Sequence, residues 1–460
     1  MSHSVGVRRA GLGPVLAAVA VAFTTGGLLA IRPGLGVAVL GAICFVPVVM
    51  VSVPLGIAAW ITALSVVLGL ATTWMELLIA AAWLGSLIAS RTTIRQLLPG
   101  QQFLVGALAL LLAWMSLSLL WARDAQAAWE DLRWWLVAGG LLVVLATSIT
   151  TPARLRLILL AFILGALLSA GIGSLQSGPP LLAASHRFAG LDGDPNDFAG
   201  QLLVAIVFAA ALAVEGRRWS VRAALVASIV GLTLALAATQ SRGGLLAAGV
   251  VVAVAVVLYG RQRRAVLLVV ALVVTVSGAW FAVYPHELGR VTTVNDAAAV
   301  GRSTLWLVAW RIAADYTPEG IGLNNFRIVS PNYVRRPGLL REVEQIDSRH
   351  IVHDTYLQLL AETGIVGLTL FLAVVGACLQ AARRAAKQFE HSGEMDLARL
   401  ARAVMLAVVG LLTTQVFLSN GYDARFWVLL ALGPAMLTMA HRLPGRDPNE
   451  DVRREAPAPG

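Results

Sequence analysis

The sequence is poor in charge, in cysteine and in the alternating polar and apolar pattern of amphipathic strands. Only 13% of its 460 residues are charged, whereas about 25% are charged in an ordinary soluble domain, so a soluble domain is excluded. The two cysteines, Cys44 and Cys378, lie in apolar runs, where they behave as small apolar residues rather than as a disulfide pair. The lack of strand-sized alternating segments excludes a membrane β-barrel.

Long apolar runs fill most of the chain, and 58% of the residues are apolar. Each run has roughly 17 to 25 residues, enough to cross about 30 Å of hydrocarbon as a helix. We therefore predict an all-α, polytopic membrane helix bundle of about 12 spans. Four crowded runs between residues 12 and 89 contain Pro47 and Pro54. They form either two long spans with a re-entrant piece or separate crossings, which would raise the total to about 14 spans.

Arginine supplies nearly all of the positive charge, since Lys387 is the one lysine among 35 basic residues. The arginine-rich connections between apolar runs are residues 90–95, 152–156, 215–222, 261–264 and 383–388. They fall on every second connection, so the positive-inside rule places them and both termini in the cytoplasm and the other connections outside. Membrane orientation thus explains the net charge of +10, and no nucleic-acid partner is needed.

One outward connection, residues 284–354, is far longer than a link between two helices needs. Its 71 residues include eight arginines and eight acids, and long exported loops usually carry function. Residues 301–316 within it have the pattern of an amphipathic helix, with Trp306 and Trp310 suited to a lipid interface. The predicted organisation is N-terminal spans in 1–283, this loop in 284–354, C-terminal spans in 355–441 and a disordered cytoplasmic tail in 442–460.

Two histidines, His350 and His353, stand where this loop meets the next apolar run. We expect His353 at a helix N-terminus, where the helix dipole favours a neutral imidazole that can accept a proton. The adjacent Asp354 acts in the opposite direction. Either His353 is a general base, with His350 as a substrate contact or the alternative base, or both are interfacial polar residues at a helix start.

Arg187 precedes the turn-rich stretch DGDPND, residues 192–197, which leads into another span. Asn196 or Asp197 is expected to cap the helix that begins there. The two carboxylates of DGD are also a weak signal for a hard cation, but we assign no metal ligand. Arg187 itself is a candidate for binding phosphate.

Arg242 opens a span after a very short connection and is followed by Gly243 and Gly244. It either snorkels to the lipid head groups or binds phosphate oxygens through its forked guanidinium group, while the glycines let the ligand approach the backbone. Arg302, in the predicted loop helix, is a further candidate for binding phosphate.

Taken in order, several segments resemble the O-antigen ligase and polysaccharide polymerase family of bacterial inner-membrane glycosyltransferases. The segments are SLSLLWARDAQAAWEDLRWWL (116–136), RFAGLDGDPNDFAG (187–200), SRGG (241–244), GRSTLWLVAW (301–310), PEGIGLNNF (318–326), HDTYLQLLAETGIVGL (353–368) and NGYDARFW (420–427). The resemblance implies a GT-C-like helical bundle in the inner membrane, with a large, partly helical periplasmic loop that caps the active site.

The resemblance also implies the reaction: transfer of a glycan from undecaprenyl pyrophosphate, at the periplasmic face, to a sugar hydroxyl of lipid A–core or of another lipid-linked glycan. It maps the family's histidine onto His353 and its pyrophosphate-binding arginines onto Arg187 and Arg242, with no cofactor or metal. Arginines neutralise the leaving group and attack opposite to it inverts the anomeric centre. The family usually has asparagine after the histidine, so Asp354 is a departure that affects the local protonation state.

Chain length and the single long loop favour the ligase. Three other functions stay open beside it. A polymerase uses the same donor and a second carrier-linked glycan. A transporter or flippase requires ionisable residues near the middle of the bilayer and discontinuous helices, and Glu76 comes nearest to the first requirement. A non-catalytic assembly factor that binds glycan lipids would also need arginines.

Overall fold

The computed structural model of the chain describes residues 33–66, 70–91, 94–177, 187–216, 218–259, 263–285, 297–334 and 351–443. Throughout these ranges the regular secondary structure is helical, which confirms the predicted all-α fold. The helices in chain order are α1 (Pro33–Val51), α2 (Val53–Leu64), α3 (Leu70–Ser90), α4 (Ile94–Leu97), α5 (Gln102–Leu117), α6 (Ala125–Ser148), α7 (Pro152–Ser177), α8 (Pro195–Glu215), α9 (Trp219–Ala238), α10 (Arg242–Leu258), α11 (Arg263–Val283), α12 (Ala297–Asp315), α13 (Phe326–Val334), α14 (Thr355–His391), α15 (Met395–Thr414) and α16 (Ala424–His441). Single 3₁₀ turns, Ser118–Leu120 and Gln415–Phe417, extend α5 and α15.

Ten of the described helices are long and apolar enough to cross a membrane, and α2 and α10 are shorter apolar helices. This confirms the polytopic membrane fold. With 12 residues, α2 is about 18 Å long at 1.5 Å per residue, less than the ~30 Å of the hydrocarbon core. It therefore fits the re-entrant piece predicted among the crowded N-terminal runs, of which the first lies outside the described residues.

The interior of the bundle is built around α6, α8 and α16, whereas α11 lies at its edge. In the most apolar 18-residue stretch of α16, 83% of the residues are buried, whereas only 6% are buried in that of α11. Small residues on α8, including Ala199, Ala205 and Ala209, are fully buried and let neighbouring helices approach closely. The side chains of Leu268 and Val274 on α11 point outward, as lipid contact requires.

The helices α12 and α13 come from the long connection that is predicted to face outward, and they form a second, smaller core with the start of α14. The predicted amphipathic helix of residues 301–316 is therefore present as α12. Its buried face carries Leu305, Val308 and Ile312, while Trp310 is 59% exposed. The burial of this face holds the outward connection against the membrane bundle.

The helix α14 is interrupted at Gly364, where φ is 67° and ψ is −173°, although the apolar pattern predicted a continuous span. A break inside a membrane helix frees carbonyl groups that must find partners within the protein. Three carbonyl oxygens at the break accept hydrogen bonds from outside the helix: Ala361 from Ile321 N (3.1 Å), Glu362 from Gly322 N (2.9 Å) and Thr363 from Trp114 Nε1 (2.8 Å). The turn around residues 318–323 is thereby bound to the break.

Glycine is required on both sides of this junction. A Cβ atom on Gly364 would overlap the carbonyl oxygen of Pro318, and one on Gly320 would lie 2.5 Å from the carbonyl oxygen of Glu362. Both glycines also have positive φ, which a side chain disfavours. The buried carboxylate of Glu362 adds a further link, since it accepts a hydrogen bond from the first amide of α13, Phe326 N, at 3.3 Å.

Candidate active site

Three helix N-termini meet at one end of the bundle, and each is capped by a side chain. Asp194 caps α8, Ser241 caps α10 and Asp354 caps α14. The N–H groups of a helix start carry partial positive charge. The carboxylates of Asp194 and Asp354 offset this charge at α8 and α14, whereas the neutral cap Ser241 leaves it in place at the start of α10, which favours an anion there. The predicted site residues beside these N-termini are Arg187, Arg242 and His353.

Arg187 is tied to the starts of both α8 and α10. Its Nε donates to the carbonyl oxygen of Thr239 (3.0 Å), and its Nη2 donates to Oδ1 of Asn196 (2.7 Å). The same Asn196 oxygen accepts a hydrogen bond from Oγ of Ser241 (2.9 Å), the residue before Arg242. One amide group therefore brings together the backbone segments that carry the two predicted phosphate-binding arginines.

His353 directly precedes the cap of α14, as predicted, and has a left-handed backbone conformation with φ 55°. Two residues on, Thr355 donates to the carbonyl oxygen of Leu418 (2.7 Å) and accepts from the amide of Asn420 (3.1 Å). The side chain of Asn420 donates to the carboxylate of Asp197 in the first turn of α8. The start of α14 is thus joined to the same helix start that binds Arg187.

Arg302 lies on α12 and is half-buried. One turn later Trp306 stacks on Phe417, with ring centroids 6.3 Å apart. The Phe417 ring also packs over Gly243, where a Cβ atom would come within 2.8 Å of it. The helix of Arg302 therefore reaches the same end of the bundle as Arg242. The fifth predicted site residue, His350, lies outside the described residues.

The predicted caps of α8 were wrong. Asp194 is the cap and accepts a hydrogen bond from Asn196 N at 2.7 Å. Pro195 fits the first helical position because its ring fixes φ and it has no N–H to leave unpaired, so the cap falls on the preceding residue. Asn196 and Asp197 therefore do not cap the helix. Their side chains instead contact Arg187 and Asn420, respectively.

The expectation that Gly243 and Gly244 admit a ligand to the backbone was also wrong. Space beside Gly243 is taken by Phe417, and a Cβ atom on Gly244 would lie 2.7 Å from Cβ of Ala199 on α8. Both glycines serve close packing of α10 against its neighbours. Arg242 can therefore contact a ligand only through its side chain and not through the helix backbone.

The DGD carboxylates have partners other than a metal. The carboxylate of Asp192 accepts two hydrogen bonds from Nη1 of Arg425, at 3.0 and 2.9 Å, and Asp194 is a helix cap. Burial raises the pKa of Asp192, and the charge of Arg425 opposes that shift. Among the residues that the structure describes, no three metal-ligating acidic, histidine or cysteine side chains lie together.

Burial raises the pKa of Asp354, while the cap bonds that it accepts from Tyr356 N (2.8 Å) and Leu357 N (2.9 Å) oppose the shift. The carboxylate oxygen that makes both bonds could be replaced by the amide oxygen of asparagine, which caps equally well. The departure from the family pattern at Asp354 therefore preserves the local backbone geometry around His353.

Tyr422 is another polar residue of this end that sequence reasoning did not single out. It follows Asn420 and shares a hydrogen bond with Asp131 on α6. Burial, together with the nearby carboxyl groups of Asp131 and Glu362, raises the pKa of Tyr422 to about 12. The phenol is therefore protonated at neutral pH and acts as a hydrogen-bond donor.

An apolar cavity of about 580 Å³ lies beneath this end, between α8, α10, α11 and α15. Its lining begins with Leu203 of α8 and Leu245 in the first turn of α10, and it extends to Tyr259 and Arg399. From Leu245 to Tyr259 the cavity follows α10 for about 21 Å at 1.5 Å per residue. Its length and apolar lining suit a long hydrocarbon chain.

Comparison with known proteins relates part of the chain to one family. Residues 227–372 match the model of the family described as O-antigen ligase, a stretch that contains Arg242, Arg302 and His353. No curated protein matches the chain. Over this matched stretch, which is less than half of the chain, the protein is similar to the O-antigen ligase family, whose members act on lipid-linked glycans in a membrane.

Proposed function

We propose that the protein is an O-antigen ligase that transfers a glycan from undecaprenyl pyrophosphate to a sugar hydroxyl of lipid A–core at the periplasmic face of the bacterial inner membrane. One observation carries the proposal: the backbone segments of Arg187 and Arg242 share the Asn196 amide, and the start of α14 after His353 is bonded to the same helix through Asn420. These links support the proposal, because they bring the backbone segments of the two arginines and of the histidine to one end of the bundle.

Arg187 and Arg242 bind the diphosphate in this proposal. Guanidinium groups form paired hydrogen bonds with phosphate oxygens, and the start of α10, which is capped by the neutral Ser241, adds partial positive charge. As the glycosidic bond to phosphate breaks, negative charge develops on the leaving diphosphate, and the fixed cations stabilise it. We assign this role to arginine because the Asp192 carboxylate is already bonded to Arg425. Arg302 approaches from α12 as a further contact.

The carrier chain of the donor fits the apolar cavity below. The cavity begins one turn into α10, directly after the predicted diphosphate contact Arg242. A hydrocarbon chain that enters it leaves its head group at the N-terminal end of the helix. Burial of apolar surface contributes about 25 cal/mol per Å² to binding, so the chain supplies affinity while the arginines supply orientation.

His353 acts as the general base. Its imidazole takes the proton from the acceptor hydroxyl, the hydroxyl oxygen attacks the anomeric carbon, and the bond from that carbon to the diphosphate breaks on the opposite side, which inverts the centre. A base in this position contributes about 10²–10⁴ in rate.

The base assignment is tested best by His353→Asn. Asparagine tolerates the left-handed conformation of residue 353 better than alanine, but it cannot accept the proton. We expect kcat to fall by about 10²–10⁴ while the Kd for a labelled donor stays within about threefold. Arg187→Ala and Arg242→Ala should instead raise that Kd. Full transfer by folded His353→Asn protein would refute the assignment.

Reconstitution with a choice of acceptors tests the function itself. The purified protein in liposomes is given the lipid pyrophosphate-linked glycan and either lipid A–core or a second carrier-linked repeat. Transfer to lipid A–core supports the ligase. Transfer only to the second repeat identifies a polymerase, and movement of intact donor across the bilayer without a new glycosidic bond identifies a transporter.

A further inference from the structure

Arg425, in the first turn of α16, holds two acidic residues: Asp423, which caps the same helix, and Asp192, which is 233 residues away in the chain. Its Nη1 donates to both carboxylate oxygens of Asp192 at 3.0 and 2.9 Å, and its Nη2 donates to Asp423 at 3.0 Å. The side chain of Arg425 is 17% exposed and that of Asp192 only 4%. Because one rigid planar guanidinium group binds a different acid through each of these nitrogens, it fixes the distance and angle between the two acids, and low exposure protects the contacts from competition by water.

Each of these acids belongs to a segment that holds one half of the candidate site. Asp192 lies in the segment 187–194, which begins with Arg187. Asp423 ends the connection 418–423, whose Leu418 and Asn420 bond Thr355 beside His353. Arg425 therefore bridges the arginine-bearing segment and the segment that supports the histidine.

We propose that Arg425 is a positioning residue that sets the spacing between Arg187 and His353. This inference rests on the proposed function of that site. The distance between the donor diphosphate and the base must be kept for in-line attack, and small misplacements of reacting groups reduce rates strongly. Arg425 acts through its two carboxylate partners and does not contact the substrate.

The variant Arg425→Lys tests this role, because one ammonium nitrogen cannot take the place of both Nη1, which binds Asp192, and Nη2, which binds Asp423. We expect kcat to fall about tenfold or more, with the donor Kd changed by less than about threefold. Asp192→Asn should lower kcat in the same direction but less. The double variant should be no worse than Arg425→Lys alone, because both changes loosen one bridge.

Arg156→Lys is the matched control. Arg156 pairs with Glu215 and also joins two helices, α7 and α8, but it lies at the opposite end of α8 from the site. The Arg156→Lys variant should leave kcat and donor Kd unchanged. Two results would overturn the proposal: unchanged kcat per folded molecule in Arg425→Lys, or tighter donor binding in Asp192→Asn. The second would mean that release from Asp192 frees Arg425 to bind phosphate directly.

Hydrogen exchange gives a readout that does not need activity. In Arg425→Lys we expect faster exchange of the amides of Leu191 and Asn420 together, since these amides bond to Ser169 and Thr355 on the two sides of the bridge. Faster exchange of only one of these two amides would overturn the proposal that Arg425 joins the two segments. If the wild-type protein transfers no glycan, the proposed function fails, while the exchange result still decides whether Arg425 joins the two segments. Asp192→Asn carries the same test if Arg425→Lys does not fold.

Discussion

Gly364→Ala should destabilise the junction between α14 and the outward connection. The backbone of residue 364 lies in a region that only glycine adopts without strain, and the new side chain costs roughly 1–3 kcal/mol for that reason alone. Its Cβ atom overlaps the Pro318 carbonyl oxygen, so the turn must move away. That movement breaks the hydrogen bonds from Ile321 and Gly322 to α14, at about 0.5–1.5 kcal/mol each. The expected total is roughly 2–6 kcal/mol.

The assay uses the buried thiol of Cys378, which lies on α14 beyond the break. In a Cys44→Ser background, a maleimide dye reports the temperature at which that helix opens. Gly376→Ala is the matched control, since a Cβ atom there meets nothing within 4 Å and alanine improves helix propensity by up to about 1 kcal/mol. We expect the midpoint to fall by several degrees for Gly364→Ala and not for Gly376→Ala. Equal midpoints for Gly364→Ala and the parent would refute the account of the break.

Three further predictions concern the capped end of the bundle. Asp354→Asn should keep the helix cap, whereas Asp354→Ala should lose about 0.5–2 kcal/mol of stability. Burial raises the pKa of Asp354, so the stabilising contribution of its protonated form is complete below the unfolded-state pKa, about 3.9 for aspartate, and is lost as the pH rises through the folded-state pKa. In thermal melting, the midpoint of Asp354→Asn should therefore rise relative to that of the wild type as the pH increases above about 4. Asn196→Ala removes the acceptor shared by Arg187 and Ser241 and should weaken labelled-donor binding about tenfold. EDTA should leave glycan transfer unchanged, and loss of transfer that Mg²⁺ restores would return the DGD carboxylates to a metal site.

The local parts of this architecture were predictable from the sequence. Apolar run length identified the membrane helices, and the positions of Arg242 and His353 at helix starts followed from polar residues placed just before apolar runs. The loop helix α12 was found because its apolar residues recur with helical spacing. Each of these signals lies within one turn or one run of the chain, where sequence pattern and structure correspond directly.

The features that depend on distant partners could not be predicted in the same way. Arg425 sits in NGYDARFW, and its partner Asp192 lies 233 residues away, so its role is visible only once α16 and the segment 187–194 are packed together. Gly364 is surrounded by apolar residues that predict an unbroken helix, and its partner turn comes from the outward connection. For Gly243 and Gly244, sequence alone cannot tell open space for a ligand from space filled by Phe417.

The turn at residues 318–323 is attached to α14 mostly through main-chain amides and carbonyls. Main-chain groups are the same whatever the amino acid, so mutation can replace the outward-facing side chains of this turn without shifting it, provided that its glycines are kept. A diverging lineage can thus change the chemistry of this outer surface on an unaltered frame.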